Sequence, residues 1–304
     1  MTVDLPLLIG SFLVAVIVGL TGMGGGALMT PMMLLFFNVP PLAAVSSDLV
    51  ASAVMKPIGG YMHLRRGTVN LNLVAWLCAG SVPAAFCGVF LARAFGEQAA
   101  AQQAVKYALG IALLLAVAGL VAKACLALRD RSRPDVDVAA ITIRPGPTLL
   151  VGVLGGATVG VSSVGAGSLI IVALLALYPA LKANQLVGTD LVQAVPLVTA
   201  AALGHLLFGD FQPHLTTSLL LGSIPGVYLG ARISSRAPGA AVRAVLAVVL
   251  LASALKLLDV GNTATAWILC GAVVAGAAGW YALRRSTARH TADKPTPAPS
   301  HPVG

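Results

Sequence analysis

The 304-residue chain is 58% hydrophobic and only 10% charged, with Lys+Arg 19 against Asp+Glu 10 and a formal net charge of +9; its mean hydropathy is +0.93. Soluble domains carry about 25% charged residues, so this composition cannot cover a water-facing surface and leaves no room for a soluble domain of usual size. The excess of Lys and Arg does not point to nucleic acid, because these residues lie mainly in short segments between apolar runs, where they orient helices in a bilayer.

No Asp, Glu, Lys or Arg occurs in 5–47, 67–92, 145–181, 211–231 or 260–283. The runs are continuously Leu-, Ala- and Val-rich, whereas strands of a membrane barrel alternate. The expected fold is all-α, a polytopic membrane helix bundle. In chain order, the first apolar segment is 7–37, whose length of roughly 46 Å as a helix exceeds one upright span and falls short of two. Its middle reads Thr21-Gly-Met-Gly-Gly-Gly26, a run of low helix propensity, and predicts a broken helix or helical hairpin. Full crossings follow at 43–63, 70–92 and 106–126. A cytoplasmic linker covers 129–146. A second broken segment at 147–178 carries Ser162-Ser-Val-Gly-Ala-Gly167, and crossings at 184–206, 213–232 and 239–258 complete that half. An additional helix at 262–283 precedes a Pro-rich tail, 284–304, expected to be disordered and cytoplasmic.

The chain resembles itself. Shifted by 142 residues, 45–88 and 187–230 share 13 identities in 44 gapless positions, among them Asp48 with Asp190, His63 with His205, Ser81 with Ser223 and Pro83 with Pro225. One residue off that register, Gly24 and Gly26 match Gly165 and Gly167. The repeats are thus 1–128 and 147–259. With both broken segments returning to their starting side, the basic groups at Arg65/Arg66, 129–144, Lys182, Arg232/Arg236/Arg243 and Arg284/Arg285 share one face, as the positive-inside rule requires. Each half then has an odd number of crossings, so the second is inverted relative to the first. The N-terminus is expected outside, the C-terminus in the cytoplasm, and the bilayer to be the cell inner (plasma) membrane. The opening MTVD has no basic n-region, so no cleaved signal peptide is expected.

Inverted repeats with broken helices recur in secondary transporters. A helix that stops within the bilayer leaves backbone N–H groups free, and the positive end of the next half-helix suits an anion. Gly24, Gly25 and Gly26 in one half and Ser163, Gly165 and Gly167 in the other are the binding candidates; close helix packing is the competing reading. Asp48 and Asp190 lie inside apolar runs, where ionisable residues face cavities or partners; they read as gating or proton-coupling groups or as helix caps. Lys56 has Val198 as its counterpart and reads as an anion-facing charge or a snorkelling side chain. His63 and His205 are further coupling candidates because imidazole titrates near neutral pH, against a plain interfacial role. Ser81 and Ser223, each two residues before a proline, read as cavity-lining hydroxyls or as parts of helix bends. The cysteines (Cys78, Cys87, Cys125, Cys270) show no metal-ligand spacing, no phosphate loop is present, and no metal, cofactor or catalytic set is expected.

The stretches GLTGMGGGALMTP, VSSDLVASA and VGTDLVQA, with a repeat of this length, resemble the TauE/SafE (sulfite exporter-like) membrane proteins over about 8–258. That resemblance implies transport of sulfur oxyanions or organosulfonates such as sulfite and sulfoacetate. The reading is a secondary transporter of a small anion working by alternating access; an anion channel and a membrane assembly component are the alternatives. The expected partners are the anionic substrate and the lipid bilayer, without nucleic acid, and a homo-oligomer is compatible with the sequence.

Overall fold

The computed structural model describes residues 4–21, 25–65, 69–93, 98–129, 141–165, 169–179, 181, 183–208, 211–233 and 239–292. Among these the chain is all helical, with eleven helices and no strand. The first half contains α1 (Leu5–Thr21), α2 (Gly26–Phe36), α3 (Pro41–Arg65), α4 (Leu71–Arg93) and α5 (Gln98–Arg129). The second contains α6 (Pro145–Ser162), α7 (Leu169–Leu177), α8 (Ala183–Phe208), α9 (Pro213–Ile233) and α10 (Gly239–Leu257). Both long apolar segments are interrupted where their glycine-rich middles predict, giving a long first arm of 17 or 18 residues and a short second arm of 11 or 9.

Local chemistry sets many of the helix ends. Pro41, Pro145 and Pro213 open α3, α6 and α9, where a missing N–H costs nothing and φ is already helical. Asp4 caps α1 by accepting the Leu7 N–H at 3.1 Å, and Asn70 caps α4 through the Leu73 N–H at 3.0 Å. Asp48 and Asp190 do not cap their helices: each stands seven residues beyond the first residue of α3 or α8, out of reach of the opening amides. Pro83 and Pro225 lie inside α4 and α9, which continue through them.

Exchanging each helix for its counterpart, α1 for α6 through α5 for α10, converts the most extensive packing relations into one another. The pairing of α1 with α9 becomes α6 with α4, and the pairing of α3 with α9 becomes α8 with α4. The contacts of α3 with α8 and of α5 with α10 map onto themselves. The two crossed pairs are joined by glycine seams. A Cβ on Gly222, Gly226 or Gly230 of α9 would strike the α1 backbone at Leu8, Phe12 or Val16. One on Gly152, Gly156 or Gly160 of α6 would strike α4 at Leu77, Ser81 or Ala85. Without a hydrophobic drive between helices in lipid, such close backbone approach supplies the contact energy.

Among the described residues, four helices hold windows long and apolar enough to cross a membrane, Leu71–Phe90, Gln102–Ala122, Pro145–Ser162 and Gly188–Phe208, with shorter apolar helices at Leu5–Leu20, Gly26–Phe36, Ala244–Leu257 and Asn262–Gly276. The outward stripe Leu5, Ile9, Leu13 and Ile17 of α1 is exposed, as suits lipid. Polar residues are turned inward: Ser46, Ser47, Asp48, Ser52 and Lys56 of α3 are all buried. The unit Gly261–Gly304 is separate. Its α11 spans Asn262–Ala292, so residues 284–292, expected in the disordered tail, continue a helix. Nothing in ALRRSTARHTA breaks one, and the first proline beyond it is Pro295.

Candidate functional site

The two interruptions meet at one carboxylate. Asp48, fully buried on α3, accepts at Oδ2 a hydrogen bond from Thr30 Oγ1 of α2 at 3.0 Å and a second from Ser163 Oγ, just beyond α6. Gly26, the first residue of α2, is wedged between the same groups: a Cβ there would overlap the Ser163 carbonyl oxygen and stand 3.0 Å from Asp48 Oδ2. One side chain therefore ties the start of the second arm in the first half to the end of the first arm in the second half. The other oxygen, Asp48 Oδ1, is buried with no hydrogen-bond partner.

Backbone shape explains why serine and glycine stand at the second interruption. Ser163 takes the left-handed conformation (φ 58°) that ends α6, its N–H bonded to the Val159 carbonyl at 2.7 Å. Gly165 has φ 124°, which side chains with a Cβ rarely adopt. Gly25 is less confined, since an added Cβ would find Met55 Cε at 3.5 Å and Ser52 Oγ at 3.9 Å.

From Asp48, a stripe at helical spacing runs along α3 through Ser52 to Lys56. Lys56 is buried, not snorkelling to an interface, and interacts electrostatically with both Asp190 of α8 and Asp48. Asp48, Asp190 and Lys56 are thus buried charged groups in one electrostatic set, and buried charges persist only when compensated.

The remaining candidates fall elsewhere. His205 joins three helices: Nε2 donates to the Gly160 carbonyl of α6 at 2.7 Å, and Nδ1 pairs with Ser46 Oγ of α3 at 2.8 Å. The carbonyl can only accept, so the neutral ring carries its proton on Nε2 and takes the serine hydroxyl at Nδ1. Ser81 accepts from Gln193 Nε2 at 2.6 Å across α4 and α8, away from the interruptions. Ser223 is buried on α9, its Oγ without a hydrogen-bond partner. Gly24, Gly167 and the His63 side chain lie outside the described residues. Sequence reasoning passed over Thr30, Ser46, Ser52 and Gln193. Ser52 alone had a signal, its place midway between Asp48 and Lys56 on one helix face.

The grouping gathers three hydroxyls (Thr30, Ser52 and Ser163) and a buried lysine around one carboxylate beside the start of α2. The curated relatives agree with a transport role. The Probable membrane transporter protein YjnA of Bacillus subtilis (strain 168) is 37% identical over 254 residues, 83% of this chain and 98% of that protein. From the same organism, the Probable membrane transporter protein YdhB is 22% identical over 75% of this chain and 89% of its own length. The Probable membrane transporter protein YunE is 36% identical over 29% of this chain and 31% of its own. No solved structure matches. Residues 7–257 match the family described as Sulfite exporter TauE/SafE, and with that match covering most of its length, the chain belongs to this family of membrane transporters.

Proposed function

We propose that the protein carries a small sulfur oxyanion or organosulfonate across the plasma membrane by alternating access between two inverted halves. The anion binds where the two interruptions converge. The supporting observation is the shared position of Gly26, Thr30 and Ser163 around Asp48, which brings donors from both halves to one place. In this reading the Ser52 hydroxyl and the N-terminal end of α2 take the oxyanion oxygens, the Thr30 and Ser163 hydroxyls stay on Asp48 Oδ2, and Lys56 supplies positive charge at longer range. The exchange of packing partners between halves supports two mirrored states of similar energy. The positions of the basic segments support a cytoplasmic C-terminus and an outer N-terminus.

Purified protein in proteoliposomes tests this with labelled sulfite and sulfoacetate. The expected result is saturable flux of at least one, inhibited by an excess of the other. Absence of any saturable flux contradicts the proposal, and unitary currents in planar bilayers would replace the carrier by a channel.

A further inference from the structure

Resting on the anion transport proposed above, we propose that Asp48 takes up a proton together with the anion, one for one, so that the two cross the membrane as a pair.

The argument is one of occupancy. An ionised Asp48 beside Gly26 is already an anion, tethered at the positive end of α2. A solute anion entering the same few ångströms would face that like charge in a medium of low dielectric constant, where repulsion is strong. Lys56 does not relieve it in full, because its charge is shared with Asp190. Protonation of Asp48 does relieve it. The vacant place for the proton is Oδ1, buried and without a hydrogen-bond partner, while Oδ2 holds Thr30 and Ser163. The new O–H is formed from an Oδ1 lone pair and a proton drawn from water on the open side; it breaks again on release at the other side. While it lasts, it turns a competing acceptor into a donor for the anion.

Other titratable groups fit this role less well. On α3 the neighbouring charge is Lys56, and on α8 it is Asp190, acting through the same ammonium. His205 of α8 has both ring nitrogens engaged, by Ser46 and by Gly160. The α2 helix and the Ser162–Val164 turn bring no titratable side chain. Those of α9 (His214, Tyr228, Arg232) are exposed. On α5, Lys106 is engaged by Asp259.

Proteoliposomes with a trapped pH dye and clamped membrane potential provide the test, with sulfite, sulfoacetate and methanesulfonate as probes; the last carries no titratable proton of its own near neutral pH. Wild-type protein given an inward gradient of a transported anion should acidify the lumen. At equilibrium the accumulation of a monovalent anion should rise about tenfold per unit of pH gradient. In Asp48→Asn, whatever anion exchange is measured should carry no acidification and no dependence on the gradient. That pattern is not expected of a merely structural residue. Anion flux without lumenal acidification in the wild type overturns the proposal, and that arm decides even if the variant fails to fold. Flux of none of the probes would instead remove the transport reading on which it rests.

Discussion

Asp48 and Asp190 occupy matching places in α3 and α8, yet the helical steps after them diverge: Ser52 and Lys56 follow the first, Ala194 and Val198 the second. The glycine seams show no such divergence, since α9 against α1 and α6 against α4 use glycines four residues apart in the same way. Packing is common to both halves, whereas the polar stripe belongs to one. Duplication can supply a two-fold scaffold, but binding one solute between the halves needs donors at a single shared place. Ser163 reaches that place from the second half, while the stripe from Asp48 to Lys56 is carried by the first alone.

The largest expected effect tests the shared part. Gly156→Val and Gly222→Val each force a side chain into facing backbone, so each should cost about 3 kcal/mol or more and sharply reduce the yield of folded protein in detergent. Unequal losses would show that the two seams are not equivalent. Next comes the first interruption. Gly26→Ala should cost about 1–3 kcal/mol by overpacking and abolish flux, while Gly25→Ala, with only ordinary contacts to meet, should lower the melting temperature little. Equal tolerance of the two would break the claim that the halves touch at Gly26.

Lys56→Met should weaken anion affinity about tenfold, the loss of roughly 1.4 kcal/mol of attraction. Adding Val198→Lys to that variant should not restore it; recovery would mean that either half can host the charge. His205→Leu should cost about 1–3 kcal/mol by stranding the Gly160 carbonyl and the Ser46 hydroxyl, with the pH dependence of transport unchanged. A shifted pH profile would return the histidine to the coupling machinery. Smallest is Asp259→Asn at an exposed corner. There the hydrogen bond from Lys106, 2.6 Å away, holds the Asp259 carboxyl below its ordinary range. Its contribution is present above the usual carboxylate pKa and fades as pH falls through the depressed one, so thermal melts of the variant and the wild type should coincide in acid.

The interruptions were legible because glycine runs within long apolar segments cannot sustain helix, and the repeat register located the second from the first. The seams were legible in principle as Gly222, Gly226 and Gly230, or Gly152, Gly156 and Gly160, at four-residue spacing; the spacing alone does not say which helix faces them. The meeting of Asp48 with Ser163 was not legible, nor was the bridge from Ser46 through His205 to Gly160. These pairs are separated by 115 residues in the first case and by 159 and 45 in the second. Only the packing of whole helices decides which serine faces which acid. The capping alternative for Asp48 and Asp190 failed for a related reason: the helices begin at Pro41 and Ala183, two turns earlier than the polar residues suggest.

Electron cryo-microscopy of the protein in lipid nanodiscs with saturating sulfite tests the site most directly. Non-protein density within hydrogen-bonding reach of Gly26 and Ser163 is the predicted result. Density confined to another part of the bundle, with the Asp48 pocket unchanged by the anion, would contradict it.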